Sequence, residues 1–288
     1  TTPAAASCLP GKPMIGVFDS GIGGLSILQA LRAALPQQDF IYLADSGHAP
    51  YGERSEAYVI ARSRAIVQHL RAAHRIEALV IACNTATAAA IHLLRAEHPD
   101  LPIVGVEPAL KPALALSKTR RIGVMATRST LASAKFAALL RPLSSQAEFI
   151  CQPCDGLADA IEHSMLGRND LTETTDLIAG CAGHTRAMGT FGMKNGQIDT
   201  LVLGCTHYPF VEAQLRELLG PQVHFVATGE PVARQTRRLL QAARHTKPDQ
   251  AAAGSGRILL QSTGSPAALE AAARRWLQLG GAAELLSL

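Results

Sequence analysis

Short apolar runs alternate along the chain with longer amphipathic stretches. MIGVFDS (14–20) is apolar and β-rich, is broken by GIGG, and leads into LSILQALRAAL, whose apolar residues recur at helical spacing. FIYLAD (40–45) predicts a second strand ending in polar residues. EALVIAC (77–83) and PIVGVE (102–107) predict two more, separated by the helical ATAAAIHLLRAEH. RIGVMAT (121–127), AEFICQ (147–152), TLVLGC (200–205), VHFVAT (223–228) and RILLQS (257–262) continue the series. Fully apolar runs of this length suit parallel strands buried on both faces. Strands alternating with helices predict an α/β fold.

Two pairs of segments resemble one another. IEALVIACNT (76–85) aligns without a gap on IDTLVLGCTH (198–207), and IGVFDS (15–20) on IGVMAT (122–127). Buried strands can match by chance, so duplication and coincidence both account for the pattern. A duplication predicts two facing lobes, each contributing a cysteine. The first would comprise 14–109 and 229–288, the second 110–228, behind a flexible tail at 1–13. TKPDQAAAGSGR (246–257) has no periodicity and reads as a surface loop.

Composition narrows the class. With 288 residues, 48% of them apolar and 17% charged, the chain can bury a substantial core. The formal charge is +4, but the 27 basic residues are scattered, as in ARSRAIVQHLRAAHR (61–75), without aromatic interleaving; no nucleic-acid partner is expected. No stretch approaches the roughly 20 apolar residues of a membrane span. TTPAAASCLPGKP lacks the apolar core of a signal peptide. Six unevenly spaced cysteines do not suggest a disulfide framework, so a reducing cytoplasm with free thiols is the expectation.

Ligands of parallel α/β sheets bind beyond the carboxyl ends of strands. Cys83 and Cys205 both fall there, each followed by polar residues and then a predicted helix. A helix N-terminus supports a thiolate, and a modest depression from about 8.5 would populate it near neutrality. One such cysteine could be a small core residue. Two in matching repeat positions suggest a base and an acid on opposite faces of one carbon. The DSGIGG loop (19–24) suits close backbone approach of a small ligand, or simply a turn; it matches neither the dinucleotide nor the phosphate-loop pattern.

Several candidate residues have ordinary readings. Asp19 could bond the turn amides, His207 could cap a helix or sit in the core, and Glu162 alone could be a solvated helix carboxylate. Cys151 and Cys154 form a C-x-x-C without a second pair, and Cys181 with His184 completes no set, so no metal site is expected. Cys8 lies in the tail. Nothing calls for a cofactor; Lys111 is the best-placed candidate for a pyridoxal-phosphate Schiff base, but no phosphate cradle surrounds it.

FDSGIGGLSIL, ADSGHAPYGERS, ACNTATA, VGVEPALKPA and VLGCTHYPF, in this order between Met14 and Leu240, resemble the glutamate racemase family of bacterial cell-wall synthesis. The resemblance implies two pseudo-symmetric α/β lobes, each with a mainly parallel sheet, and a site in the cleft between them. It implies cofactor-independent interconversion of L- and D-glutamate. Cys83 would take the proton of D-glutamate and Cys205 that of L-glutamate. Asp19 would assist the first thiol, and His207 and Glu162 the second. Substrate contacts are implied for Asp19, Ser20, Tyr51, Gly52, Asn84, Thr85, Thr206 and His207. Asp45 stands where the family has an acid of less clear role. Ala227 and Ser46 depart from the Asp and Thr usual in such proteins, and CDGLADAIE is a looser match. Homodimers are common among similar proteins. A racemase acting on aspartate or another amino acid, and a non-catalytic two-lobed binding protein, are the alternatives.

Overall fold

The computed structural model describes residues 13–164, 171–244 and 256–288. Cys8, the tail apart from Pro13, and most of the 246–257 loop lie outside these residues. The first βα series runs β1 (Met14–Asp19), α1 (Leu25–Ala34), β2 (Asp39–Ala44), α2 (Glu56–His74), β3 (Ile76–Ile81), α3 (Asn84–Glu97) and β4 (Ile103–Gly105). A second comprises α4 (Leu110–Leu116), β5 (Arg121–Ala126), α5 (Arg128–Ala132), α6 (Ala134–Leu140), β6 (Glu148–Pro153), α7 (Leu157–Ser164), α8 (Leu171–Met188), β7 (Thr200–Leu203), α9 (Glu212–Leu219) and β8 (His224–Val226). The chain ends in α10 (Gly229–Arg244), β9 (Ile258–Ser262), α11 (Pro266–Leu277) and β10 (Ala283–Leu285).

Two parallel sheets result, ordered β10-β9-β2-β1-β3-β4 and β6-β5-β7-β8. Leaving out β9 and β10, the orders are the same. The registers agree as well. Ile15 faces Ala78 as Ile122 faces Thr200, and Leu79 faces Ile103 as Leu201 faces Phe225. These are the pairs that the ungapped alignment of 76–85 with 198–207 equates, so the internal repeat extends to strand order and hydrogen-bond register. Parallel strands need covered faces. Helices supply the cover: Leu25, Leu28 and Leu31 of α1 pack on one face of the first sheet, and Ile66, Val67 and Leu70 of α2 on the other.

One apolar cluster runs from Ile15, Val17 and Tyr42 of the first sheet to Leu201 and Leu203 of the second, and on to Tyr208 after it. The two sheets therefore share core. Every predicted strand is present. The added one is β10, an edge strand whose residues are only partly covered and whose centre is Glu284, so it leaves no apolar run to read. β6 also departs from expectation: it is an edge strand and none of its residues is fully buried. No helix among the described residues is long and apolar enough to cross a membrane.

Candidate active site

Cys83 follows β3 and is the N-cap of α3; its Sγ accepts from the Ala86 N–H at 3.5 Å and contacts Ser20 Oγ at 3.8 Å. Asp19 ends β1 and is fully buried. One of its carboxylate oxygens accepts from the Ser20 N–H at 2.7 Å, and the other accepts from the Thr206 hydroxyl at 3.0 Å. Burial pushes the Asp19 carboxyl up, against the lowering effects of His207 and its hydrogen bonds. Burial, and after it the charge of Asp19, pushes the Cys83 thiol well up. The expectation of a thiolate stabilised simply by a helix end is therefore corrected: desolvation outweighs the helix amides in a site this enclosed.

Cys205 is reached through β7 and Gly204. Beyond it the chain makes a 3-10 turn, Tyr208–Val211, with Pro209 near its start, and the expected helix, α9, begins after that turn at Glu212. The neighbour of Cys205 is His207, whose Nδ1 lies 3.7 Å from Cys205 Sγ and whose Nε2 lies 2.6 Å from Glu162 Oε2. Burial disfavours a charged His207 ring, but hydrogen bonds to Cys205 and Glu162 prevail and hold it well above the usual histidine range. Burial likewise opposes ionisation of Glu162, and the hydrogen bond and charge of His207 reverse this, leaving its carboxyl below the usual range. A charge-assisted Cys205–His207–Glu162 line results.

The glycine loop explains how Glu162 comes to sit here. A Cβ on Gly21 would collide with the Glu162 carboxylate, and one on Gly23 would collide with the His207 ring. These glycines make room for second-lobe side chains, where the sequence suggested room for a ligand. Ser26 Oγ donates to the Thr206 carbonyl at 2.8 Å, so the 205–207 turn is docked on the segment 19–26. A second crossing joins Thr85 Oγ1 to Thr127 Oγ1 at 3.2 Å and Ser129 Oγ to the Gly52 carbonyl at 2.6 Å.

Between these crossings lies a cleft with about 680 Å³ of space free of protein atoms, its open mouth included. Asp19, Ser20, Tyr51, Gly52, Cys83, Asn84, Thr85, Glu162, Cys205, Thr206 and His207 all line it. Every residue singled out as catalytic or substrate-binding is thus brought together. Asn84 is 5% exposed, yet neither its Oδ1 nor its Nδ2 has a hydrogen-bond partner. Buried amides are ordinarily paired, so this one is available to a ligand in the cleft. Asp45 does not line the cleft; it is a buried hub, accepting from Tyr51 Oη, from Arg62 at 3.0 and 2.8 Å, and from Thr263 Oγ1 at 2.8 Å. It anchors Tyr51, which does.

Thr127 and Arg128, which the sequence does not single out, also line the cleft, as does Cys154 of the C-x-x-C. For Thr127 a signal exists: the IGVFDS/IGVMAT alignment equates it with Ser20. Arg128 is ion-paired with Asp155 at the mouth. No lining residue among those described is a lysine, and Lys111 lies on α4 outside the cleft, which disfavours a Schiff-base reading. Cys83, Cys151, Cys154, Cys181 and Cys205 are free thiols. Among the described residues no three His, Cys, Asp or Glu side chains are grouped to hold a metal ion.

Residues 24–236 match the family described as Asp/Glu/Hydantoin racemase. The chain belongs to that family. Its relatives include the glutamate racemase of Ectopseudomonas mendocina, 49% identical over 226 residues, covering 78% of this chain and 81% of the relative. The glutamate racemase of Methylococcus capsulatus is 46% identical over 228 residues, covering 79% of each. Among solved structures, glutamate racemase isoform RacE1 of Bacillus anthracis superposes with a TM-score of 0.79 at 30% identity, over 96% of this chain and 98% of that one. Escherichia coli glutamate racemase, solved with L-glutamate and the activator UDP-MurNAc-Ala, gives the same TM-score, identity and coverage. The family's two-sheet α/β fold thus extends over nearly the whole chain.

The opposed shifts of Glu162 and His207 set a pH signature. Glu162, lowered from its ordinary 4.5, contributes stability present above that value and lost as pH falls through its folded pKa. His207, raised from its ordinary 6.5, contributes stability complete below that value and lost as pH rises through its folded pKa. Calorimetry of Glu162→Gln should show its largest deficit in melting temperature at about pH 5–6, shrinking at alkaline pH. A deficit that grows with pH would contradict the pairing.

Proposed function

We propose that this chain interconverts L- and D-glutamate by two-base proton transfer at the α-carbon, without a cofactor, and so supplies D-glutamate for peptidoglycan. The observation that carries the reading is the presence of two thiols from matching repeat positions in one cleft, each beside its own proton-handling group. Glutamate as substrate rests on the names of the relatives. The lobes are taken as 14–109 with 229–288, and 110–228, and the five free cysteines suit a reducing cytoplasm.

The His207 ring, kept protonated between Glu162 and Cys205, directs its Nδ1 proton at the Cys205 sulfur. Cys205 then removes the α-proton of L-glutamate. Cys83, kept as a thiol by burial, delivers a proton to the opposite face. In reverse, Cys83 must first lose its proton. Asp19, itself shifted toward neutrality by burial, is the adjacent group able to receive it. The Asn84 amide and the hydroxyls of Ser20, Thr85, Thr127 and Thr206 supply donors for the α-carboxylate, where negative charge develops. Inversion needs acid and base on opposite faces, and a cleft between two lobes provides them.

In heavy water, L-glutamate should yield D-glutamate carrying deuterium at the α-carbon, with no cofactor added; absence of both products, or rapid turnover of aspartate in place of glutamate, would overturn the reading. Cys83→Ala and Cys205→Ala should each abolish racemisation, and full activity in either would defeat the two-base mechanism. Asn84→Ala should raise KM by roughly tenfold, the scale of one lost hydrogen bond to a charged group. An unchanged KM would remove Asn84 from the binding set.

A further inference from the structure

The Ile22 N–H donates to both carboxylate oxygens of Glu162, at 3.2 and 3.1 Å. The carbonyl of the same peptide unit, on Gly21, accepts from the Tyr42 hydroxyl at 2.6 Å. One peptide plane is therefore held at both edges, by a phenol from β2 in the first sheet and by a carboxylate from α7 beside the second. Beyond Glu162 come His207 at 2.6 Å and then Cys205 Sγ at 3.7 Å from the ring. The packing around this line has no slack. A Cβ at Gly21 would strike Glu162, one at Gly23 would strike His207, and one at Gly24 would come within 2.8 Å of the Tyr42 oxygen.

Tyr42 is fully buried and does not line the cleft. A buried phenol needs an acceptor, and on that ground alone any carbonyl would serve. The acceptor here belongs to the one peptide whose N–H reaches across to Glu162. Rotation of the Gly21–Ile22 peptide would withdraw that N–H, and the Tyr42 bond opposes the rotation. We infer that Tyr42 is a positioning residue for the Cys205 half of the reaction, acting through the Gly21–Ile22 peptide, Glu162 and His207. The inference rests on the two-base reading given above.

The test must separate the two halves of the reaction. Because L- and D-glutamate are equal in free energy, any variant lowers kcat/KM equally in both directions, and rates alone are silent. Isotope effects are not. If the Cys205 step is slowed, hydrogen removal from L-glutamate becomes more rate-limiting. The primary deuterium effect on kcat/KM then rises for L-[2-²H]glutamate and falls toward unity for D-[2-²H]glutamate.

Tyr42→Phe is expected to lower kcat/KM by roughly tenfold, the scale of one lost buried hydrogen bond, and to move both isotope effects in these senses. His207→Asn should move them the same way, and in a Glu162→Gln background Tyr42→Phe should move them no further. Failure of the wild type to racemise glutamate, or isotope effects unmoved in His207→Asn, defeats the two-base reading itself. With those controls intact, wild-type isotope effects in Tyr42→Phe overturn the role of Tyr42, whatever happens to rate or melting temperature. Should Tyr42→Phe not fold, Gly21→Ala decides, because its Cβ displaces the same carboxylate from the same peptide. Unchanged isotope effects there overturn the proposal equally.

Discussion

The site depends on one carboxylate from the second lobe seated on the backbone of the first. Glu162 is largely withdrawn from water, and an ionised group so placed is costly unless donors surround it. It has them: the Ile22 N–H, Ser46 Oγ at 3.3 Å and the His207 ring. Two of these three belong to the first lobe. Satisfying the charge therefore brings the lobes into contact, requires glycine at 21 and 23, and aims His207 at Cys205. The loop composition, the lobe contact and the orientation of the His207 ring are consequences of the same electrostatic demand.

The repeat places two thiols on one cleft, and departures from it supply their difference. Matched positions carry Cys83 and Cys205, Asn84 and Thr206, Ser20 and Thr127. The symmetry fails at Asp19, whose counterpart is Ala126, and at His207, whose counterpart is Thr85. The first thiol thus has a carboxyl neighbour and the second has an imidazole backed by a carboxylate. On the two-base reading, a chiral substrate presents different groups to the two lobes, so identical thiols are required while identical assistants are not. The Asp19–Thr206 bond at 3.0 Å crosses between the halves at the point where they differ.

The strands were legible because parallel strands covered on both faces must be apolar throughout, and nine such runs stand out. Both thiols were legible because core packing alone does not place a cysteine after a strand at each of two matching repeat positions. The features that escaped were set by tertiary surroundings. β10 is partly exposed and carries a glutamate at its centre. A 3-10 turn precedes α9 after Cys205, with Pro209 near its start and Thr206 docked on Ser26. Glu162 was named only by the family resemblance, because it lies in an amphipathic helix that looks like any surface helix and its partners, Ile22 and His207, are distant in sequence. Asp45 became intelligible only with Tyr51, Arg62 and Thr263 gathered around it. The loop glycines were noticed, but the object approaching them was not readable from either segment alone.

The raised pKa of Cys83 illustrates why local rules fall short and what the whole fold gains. A helix amide at 3.5 Å favours a thiolate, whereas full burial and the neighbouring Asp19 disfavour it more strongly. The thiolate is thereby made rarer but also more basic. An α-proton of an amino acid is weakly acidic, and the rate of its removal grows with the strength of the base as well as with the fraction of base present. Enclosure improves the first quantity at the expense of the second. On the two-base reading, Asp19, whose carboxyl is pushed up by the same enclosure, lessens that expense, since it neighbours the thiol and can take its proton without solvent.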